Sequence, residues 1–407
     1  SRSARAARAL AGAGPAGFGY IRTSPSPFPD PFPLSIVDRF SAAHGAADNW
    51  LQAASECVSL LEDARGANLG FVYAADAFAP DLRSLLRYLR DATGVPHWTG
   101  TVGVGVCGSG REYHEQPALS VMLGSFPPDS FLVFDAVTDG VAPLLSRHGD
   151  WLRAADARFG VIHGDPRNRQ LPALIEGIAA AANDGFLVGG LTSTRSVYAQ
   201  VADTVTEGGV SGVLFSPEVR VATTLTQSCA LFGATHEITA CDGNVVMTLG
   251  GRPALDVFYD EIGDILARDL QRAARYVAAA LLVPGSDTRD YLVRNLVGVD
   301  PRTRIIAIGD TVRPGQLLRF CRRDPNNAMQ DMERMLRELK DRVPNPPRGA
   351  LYFSCLGRGK EMFGEDSAEL RAIARVFGDL PITGFFCNGE ISHNRLYGYT
   401  GVLTLFL

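Results

Sequence analysis

Residues 349–359 read Gly-Ala-Leu-Tyr-Phe-Ser-Cys-Leu-Gly-Arg-Gly, and residues 381–390 read Pro-Ile-Thr-Gly-Phe-Phe-Cys-Asn-Gly-Glu. In the first stretch the apolar run Ala350 to Phe353 ends in a polar loop holding a thiol, Cys355, and a guanidinium, Arg358, the latter between Gly357 and Gly359. In the second, Ile382 to Phe386 ends at Cys387-Asn388-Gly389-Glu390. A helix-like segment separates the two, and Gly401-Val-Leu-Thr-Leu-Phe406 supplies a further strand. Short apolar runs bounded by turn residues read as buried strands. Strands that deliver loops at their C-terminal ends are how open α/β sheets build small-molecule sites. The spacing predicts a β-α-β-β unit whose two loops share one pocket.

Working outward, the same order recurs twice. Leu69-Gly-Phe-Val-Tyr, a helix over 81–90, a strand and glycine loop over 98–106, and a strand over 119–123 form one unit. Phe159-Gly-Val-Ile-His, a helix over 171–182, Phe186-Leu-Val-Gly-Gly-Leu and a strand over 210–215 form another. The glycine of the first strand and the glycine of the second are 30 residues apart (Gly70 to Gly100), then 29 (Gly160 to Gly189), then 35 (Gly349 to Gly384). Internal similarity of this kind predicts a multi-unit α/β (α+β) architecture. The expectation is repeated β-α-β-β units forming two packed sheet-and-helix halves.

The remaining segments differ from these units. Residues 1–35 are rich in Ala, Gly and Arg and then alternate proline with Ser, Phe or Asp over 24–33. Such alternation favours polyproline II and builds no core, so a tail or linker is expected. Gly12, Gly14 and Pro15 interrupt any apolar signal region behind Arg2, Arg5 and Arg8, which argues against export. Residues 46–61 are amphipathic at helical spacing (Trp50, Ala54, Cys57, Leu60, Leu61). In 220–347, alternating runs at 237–240 and 244–249 joined by Cys241-Asp242-Gly243 predict a hairpin. A long helix is expected over 254–276, strands over 290–297, 304–308 and 316–319, and a helix opened by Asp324-Pro325 as N-cap and first residue. That helix places Met329, Met332, Met335, Leu336 and Leu339 on one face, the spacing of a core stripe.

Composition narrows the function. With 39 basic against 44 acidic residues and a net charge of −5, there is no basic footprint for nucleic acid. The longest apolar run, 276–284, falls well short of the roughly 20 residues a membrane helix needs, so no membrane partner is expected. Seven cysteines without a CxxC pair indicate neither a disulfide framework nor a zinc knuckle, and free thiols point to a reducing cytoplasm.

Each candidate side chain has two readings. A guanidinium beside Cys355 favours thiolate and would make the sulfur a nucleophile or soft ligand; a small buried cysteine packing under a loop reads the same way. Asn388-Gly389 is a hairpin signal in its own right. Glu390 either pairs with Arg358 or grips a ligand amine while Arg358 holds its carboxylate, which suits an amino-acid-like ligand. Gln227 and Cys229 stand where a strand meets a loop, and the Gln227 amide can orient a polar ligand or satisfy loop backbone. The run Gly103 to Gly110 lacks the Lys-Ser/Thr of a phosphate loop and reads as a turn. His163 follows a strand, His236 and His393 sit near loops, and no histidine pair has metal-ligand spacing.

Taken together, Leu-Thr-Gln-Ser-Cys-Ala-Leu-Phe-Gly (225–233), Asp-Gly-Asn-Val-Val (242–246), Gly-Gly-Arg-Pro-Ala-Leu (250–255), Tyr-Leu-Val-Arg-Asn-Leu-Val-Gly-Val-Asp (291–300), Ser-Cys-Leu-Gly-Arg-Gly (354–359) and Gly-Phe-Phe-Cys-Asn-Gly-Glu-Ile (384–391) resemble a FIST-domain protein, which implies a FIST N-like domain over 36–215 and a FIST C-like domain over 216–407. The sequence departs from the family's pattern at Ser228 and at Ala230-Leu231, where a glycine and a cation with proline are usual. The resemblance implies a sensory, small-ligand-binding module of intracellular signalling proteins, with amino acids among its suggested ligands. With no room left for an attached output domain, it implies signalling through a separate partner such as a kinase or cyclase. Cys355, Arg358, Asn388, Glu390, Gln227 and Cys229 are the expected ligand-binding residues, with no catalytic group. Two rival readings remain open: a haem-binding gas sensor of the nitric-oxide type, and a thiol enzyme with Cys355 as nucleophile and His393 or His236 as base.

Overall fold

The structure, a computed structural model, describes residues 40–61, 66–267, 276–283, 290–364 and 366–407. The expected tail over 1–35 and the end of the long helix expected over 254–276 fall outside these ranges, apart from Tyr276.

The first unit comprises β1 (Ser41–Ala46), α1 (Trp50–Leu60), β2 (Leu69–Ala75), α2 (Leu82–Thr93), β3 (His97–Gly103), the hairpin β4 (Gly105–Gly108) and β5 (Arg111–His114), and β6 (Ala118–Gly124). The second has β7 (Phe131–Val137), α3 (Ala142–Ala155), β8 (Phe159–Gly164), α4 (Leu171–Ala181), β9 (Phe186–Leu191), the hairpin β10 (Gln200–Ala202) and β11 (Thr204–Thr206), and β12 (Val210–Phe215). The third opens with β13 (Val221–Gln227) and is interrupted by an insertion: β14 (Cys229–Asp242), β15 (Val245–Leu249), β16 (Arg252–Pro253), α5 (Ala254–Ala267), β17 (Val277–Leu282), β18 (Tyr291–Asp300), β19 (Ile305–Ile308), β20 (Leu317–Arg323) and α6 (Pro325–Arg342). It resumes as β21 (Gly349–Cys355), α7 (Gly359–Phe363), α8 (Ala368–Phe377), β22 (Ile382–Cys387), the hairpin β23 (Glu390–His393) and β24 (Arg395–Tyr397), and β25 (Thr400–Phe406).

Three six-stranded sheets have one plan. Their orders are β1-β6-β2-β3-β10-β11, β7-β12-β8-β9-β23-β24 and β13-β25-β21-β22-β4-β5. Each has a central parallel pair and takes its edge hairpin from another unit: the first from the second, the second from the third, the third from the first. This ring of exchanged hairpins locks the units together, and the expected halves resolve into three like units plus an insertion with its own seven-stranded sheet. The Asn388-Gly389 turn is accordingly not a hairpin loop. β22 pairs β4 and β23 pairs β9, so the turn carries the chain from one sheet to the next.

The repeated glycine has a physical cause. In the parallel pairs Val72 faces Gly100, Ile162 faces Gly189 and Tyr352 faces Gly384. A Cβ on any of these glycines would fall on the carbonyl oxygen of its partner, so the strands approach this closely only where no side chain exists. The register also shows that the third counterpart of Gly70 and Gly160 is Ala350, not Gly349.

Strands buried on both faces read as continuous apolar runs, and the two faces here serve different cores. The inner faces meet around Phe71, Tyr73, Phe159, Val161, Phe353, Phe385 and Phe406. His163 Nε2 lies 3.2 Å from the Tyr73 hydroxyl, and Tyr73 stacks on Phe385 at 5.1 Å. The outer faces pack separately on α1 and α2, on α4, and on α6 and α8. α6 begins as expected, Asp324 accepting from Asn326 N and Asn327 N, and its methionine stripe is core.

Candidate functional site

The three helix-facing layers can be compared position by position because their registers match. Facing the second-strand glycine are Val72, Ile162 and Tyr352; two residues on come Ala74, Gly164 and Ser354. In the exchanged hairpins, the residue opposite the glycine is Val201, Ile391 or Cys107. Its cross-strand mate is Val205, Leu396 or Glu112. The buried helix faces are Leu82, Leu85, Leu86 and Leu89 in α2 and Leu171, Leu174, Ile175 and Ile178 in α4, but Glu369, Leu370, Ala372 and Ile373 in α8. Two layers are apolar throughout. The third places hydroxyls and charges at the same positions.

These groups form one network. Arg358 is fully buried and donates through Nε to Glu369 Oε1 at 2.8 Å, and a second guanidinium nitrogen lies 2.7 Å from the same oxygen. It also donates to Ser228 Oγ at 2.5 Å and rests against Met332 and the Phe363 ring. Glu369, equally buried, accepts from the Tyr352 hydroxyl at 2.6 Å and from Ser354 Oγ at 2.9 Å. Burial works against the Arg358 charge, yet the Glu369 carboxylate holds the guanidinium above its ordinary range; burial and then Glu369 push the Tyr352 phenol well up. An ion pair taken out of water is stabilising only when every member is satisfied, and apolar residues of like size do as well or better. The sister layers show that this fold accepts apolar residues here.

The network reaches the surface through Glu112. Its Oε1 accepts the Glu369 and Leu370 backbone N–H groups at the start of α8 (3.0 and 3.2 Å), and its Oε2 lies 3.0 Å from His114 Nε2. Glu112 N donates to Ser367 Oγ at 3.0 Å. Beside it a pocket of about 410 Å³ is lined by Gly110, Arg111, Glu112, His114, Gln116, Ser367 and Arg371.

Around the loop ends the structure brings most of the expected residues into one neighbourhood. Gln227 pairs in register with Thr400, and Thr400 donates through N and Oγ1 to Glu390 Oε2 (3.0 and 2.8 Å). Ser228, between Gln227 and Cys229, joins Arg358 to this group. The details differ from expectation. Arg358 pairs with Glu369 rather than Glu390, because α8 points a carboxylate into the same layer. Glu390 is fully buried, its Oε1 has no hydrogen-bond partner, and burial raises its carboxyl to about 8. Cys355 shows some surface, but burial and then Glu390 raise its thiol, and Arg358 opposes this only weakly. The thiolate expected beside a guanidinium is therefore disfavoured. Gln227 is committed to backbone and donates through Nε2 to Tyr291 O at 2.8 Å. Cys229 is buried in the insertion's core next to Cys321, and Asn388 is exposed.

The histidines offered as bases or haem ligands are engaged. His163 sits among Tyr73, Phe353 and Phe385, its ring held neutral by burial down to about 3. His236 Nε2 is 2.8 Å from Glu261 Oε1, and His393 Nδ1 is 2.9 Å from Asn394 Oδ1. Among the described residues no group of three His, Cys, Asp or Glu side chains could hold a metal, and no helix is long and apolar enough to cross a membrane.

Glu369, Tyr352, Ser354, Glu112, Arg111 and Arg371 were missed from sequence. One signal was present: Glu369 shares a helical stripe with Ala372 and Ile373, so the apolar face of α8 starts with a carboxylate.

Family models cover the chain in two parts whose boundary, near residue 253, falls inside the insertion. The FIST N domain model matches residues 68–252 and the FIST C domain model residues 254–393. An uncharacterized protein of Mycobacterium tuberculosis (strain H37Rv) is 31% identical over 323 residues, covering 76% of this chain and 83% of the relative. An uncharacterized protein of Mycobacterium bovis is 29% identical over 327 residues, covering 77% and 83%.

Proposed function

We propose that this chain, which belongs to the FIST family, senses an amino-acid-like metabolite through the polar layer of its third unit. FIST domains are sensory, small-ligand-binding and, as a family, non-catalytic. The observation that carries the site assignment is the break in symmetry. Two layers close on Leu, Val, Ile, Ala and Gly, while the third buries Arg358 and Glu369 and adjoins a pocket at Glu112. In this reading Arg358 forms the inner support of the site, with Glu390 and Cys355 behind it; Gln227 and Cys229 serve the neighbouring backbone and the insertion's core, and Asn388 lies outside the pocket lining. Occupancy changes the packing of α8 against the hairpin β4–β5, and a ligand that favours one arrangement shifts its population. The output passes to a separate signalling protein, such as a kinase or cyclase, in the cytoplasm, a compartment in keeping with seven free thiols.

A thermal-shift screen against the common amino acids and related metabolites tests this. A ligand at 100 times its Kd stabilises by about 2.7 kcal/mol, a readily measured rise in melting temperature. The reading fails if none stabilises the protein, or if the stabilisation survives replacement of Arg358 and Glu369 together by Met and Leu in a folded variant.

A further inference from the structure

The third unit's layer opens on a pocket whose wall comes from two units: Arg111, Glu112, His114 and Gln116 from the first unit's exchanged hairpin, Ser367 and Arg371 from the start of α8. Glu112 is already answered on both oxygens, by two backbone N–H groups and by His114, so the helix end needs no further anion. The two guanidiniums are different. Among the described residues neither Arg111 nor Arg371 has a carboxylate partner; Arg111 lies only over the Tyr113 ring, at 5.2 Å. Both are exposed and reach a concavity whose volume suits a small metabolite. Two cations face one carboxylate there whose oxygens are both hydrogen-bonded, and the remaining lining (Gln116, Ser367, His114) is polar. At the matching place in the sister units the hairpin closes on its helix with Val205 and Leu396.

We infer that this pocket binds a small anionic metabolite, its carboxylate or phosphate held between Arg111 and Arg371. Planar guanidiniums match both groups, and two of them can share one anion. Because one arginine rides on β5 and the other on α8, the bound anion clamps the exchanged hairpin to the third unit's helix. Clamping at that joint is transmitted to the buried pair, since Glu369 meets Glu112 through its backbone N–H and Arg358 through its carboxylate. The inference rests on the receptor reading above and names the anchor of the ligand at that site.

The test is thermal stability at constant ionic strength with inorganic phosphate, succinate, glutamate and, as a cationic control, ethanolamine. Saturable stabilisation by at least one anion and none by ethanolamine is expected, and whether phosphate or the carboxylates act identifies the anionic group. Arg371→Gln and the double variant Arg111→Gln/Arg371→Gln should lose tenfold or more in affinity while melting, without ligand, close to the wild type. Wild-type protein that no anion saturably stabilises overturns the inference, as does a double variant that binds with unchanged affinity. An amino acid that stabilises wild type and double variant equally overturns this anchor alone and leaves the receptor reading in place. If the double variant does not fold, Arg371→Gln by itself decides by the same criteria.

Discussion

Replacing Arg358 with Met tests whether the third layer is held by a buried ion pair. The substitution removes the cation but leaves Glu369 in a fully buried position, served only by the hydroxyls of Tyr352 and Ser354. Breaking a buried pair from one side costs about 3–5 kcal/mol, because the surviving charge is uncompensated. Glu369→Leu should cost a similar amount, through the stranded guanidinium. Replacing both removes both charges and brings the layer close to its sisters. Such a swap is often neutral or stabilising by about 1–4 kcal/mol. Against this stand the hydroxyls of Tyr352, Ser354 and Ser228, which lose partners at about 1 kcal/mol each. The double variant should then lie within about 3 kcal/mol of wild type, with each single variant at or below it. Urea unfolding of the four proteins, followed by fluorescence and circular dichroism together, yields a coupling energy, expected to be at least about 2 kcal/mol. An Arg358→Met protein within about 1 kcal/mol of wild type, or strictly additive singles, would refute the reasoning.

Three further outcomes are expected. Glu390 is held protonated by burial, its carboxyl moved from 4.5 up to about 8; a pKa raised on folding adds stability that is full below about pH 4.5 and is lost as pH climbs to about 8. Glu390→Gln should flatten that decline between pH 5 and 9, and an unchanged melting profile would show the carboxyl is not buried as described. Cys355, with its thiol raised by burial and Glu390, should react with iodoacetamide far more slowly at pH 7 than free cysteine; rapid labelling mapped to this residue by mass spectrometry would contradict the site geometry. Gly384→Ala sets a Cβ on the Tyr352 carbonyl and should destabilise by roughly 3 kcal/mol in urea, whereas Gly94→Ala, at a left-handed helix end with open space around it, should be limited to backbone strain near 1 kcal/mol; equal effects would remove the account of the repeated glycine.

The repeat was legible because its cause is local. A close parallel pair leaves room only for glycine, so Gly100, Gly189 and Gly384 mark the units in the sequence itself. Which sheet receives each hairpin was not legible, since β4 and β22 are far apart in the chain and nothing in either run names the other. The Asn388-Gly389 signal was correct about a turn and misled about its strands, because tertiary pairing chose the partners. The site was read in part. Cys355, Arg358, Glu390 and Gln227 do converge, but the carboxylate set against Arg358 in the sequence was Glu390, in the second strand-end loop, rather than Glu369, hidden in an ordinary-looking helix. Arg111 and Arg371 look like surface arginines until the exchanged hairpin sets them on one pocket.

Amide hydrogen exchange, with and without the stabilising metabolite from the thermal-shift screen, compares the three like units within one molecule. If the third layer is the sensing site, slowed exchange will be concentrated in β5 and the first turn of α8, including Glu369 and Leu370, with little change in β11 and α2 or in β24 and α4. Protection shared equally by all three hairpin and helix joints, or confined to a sister joint, would contradict it.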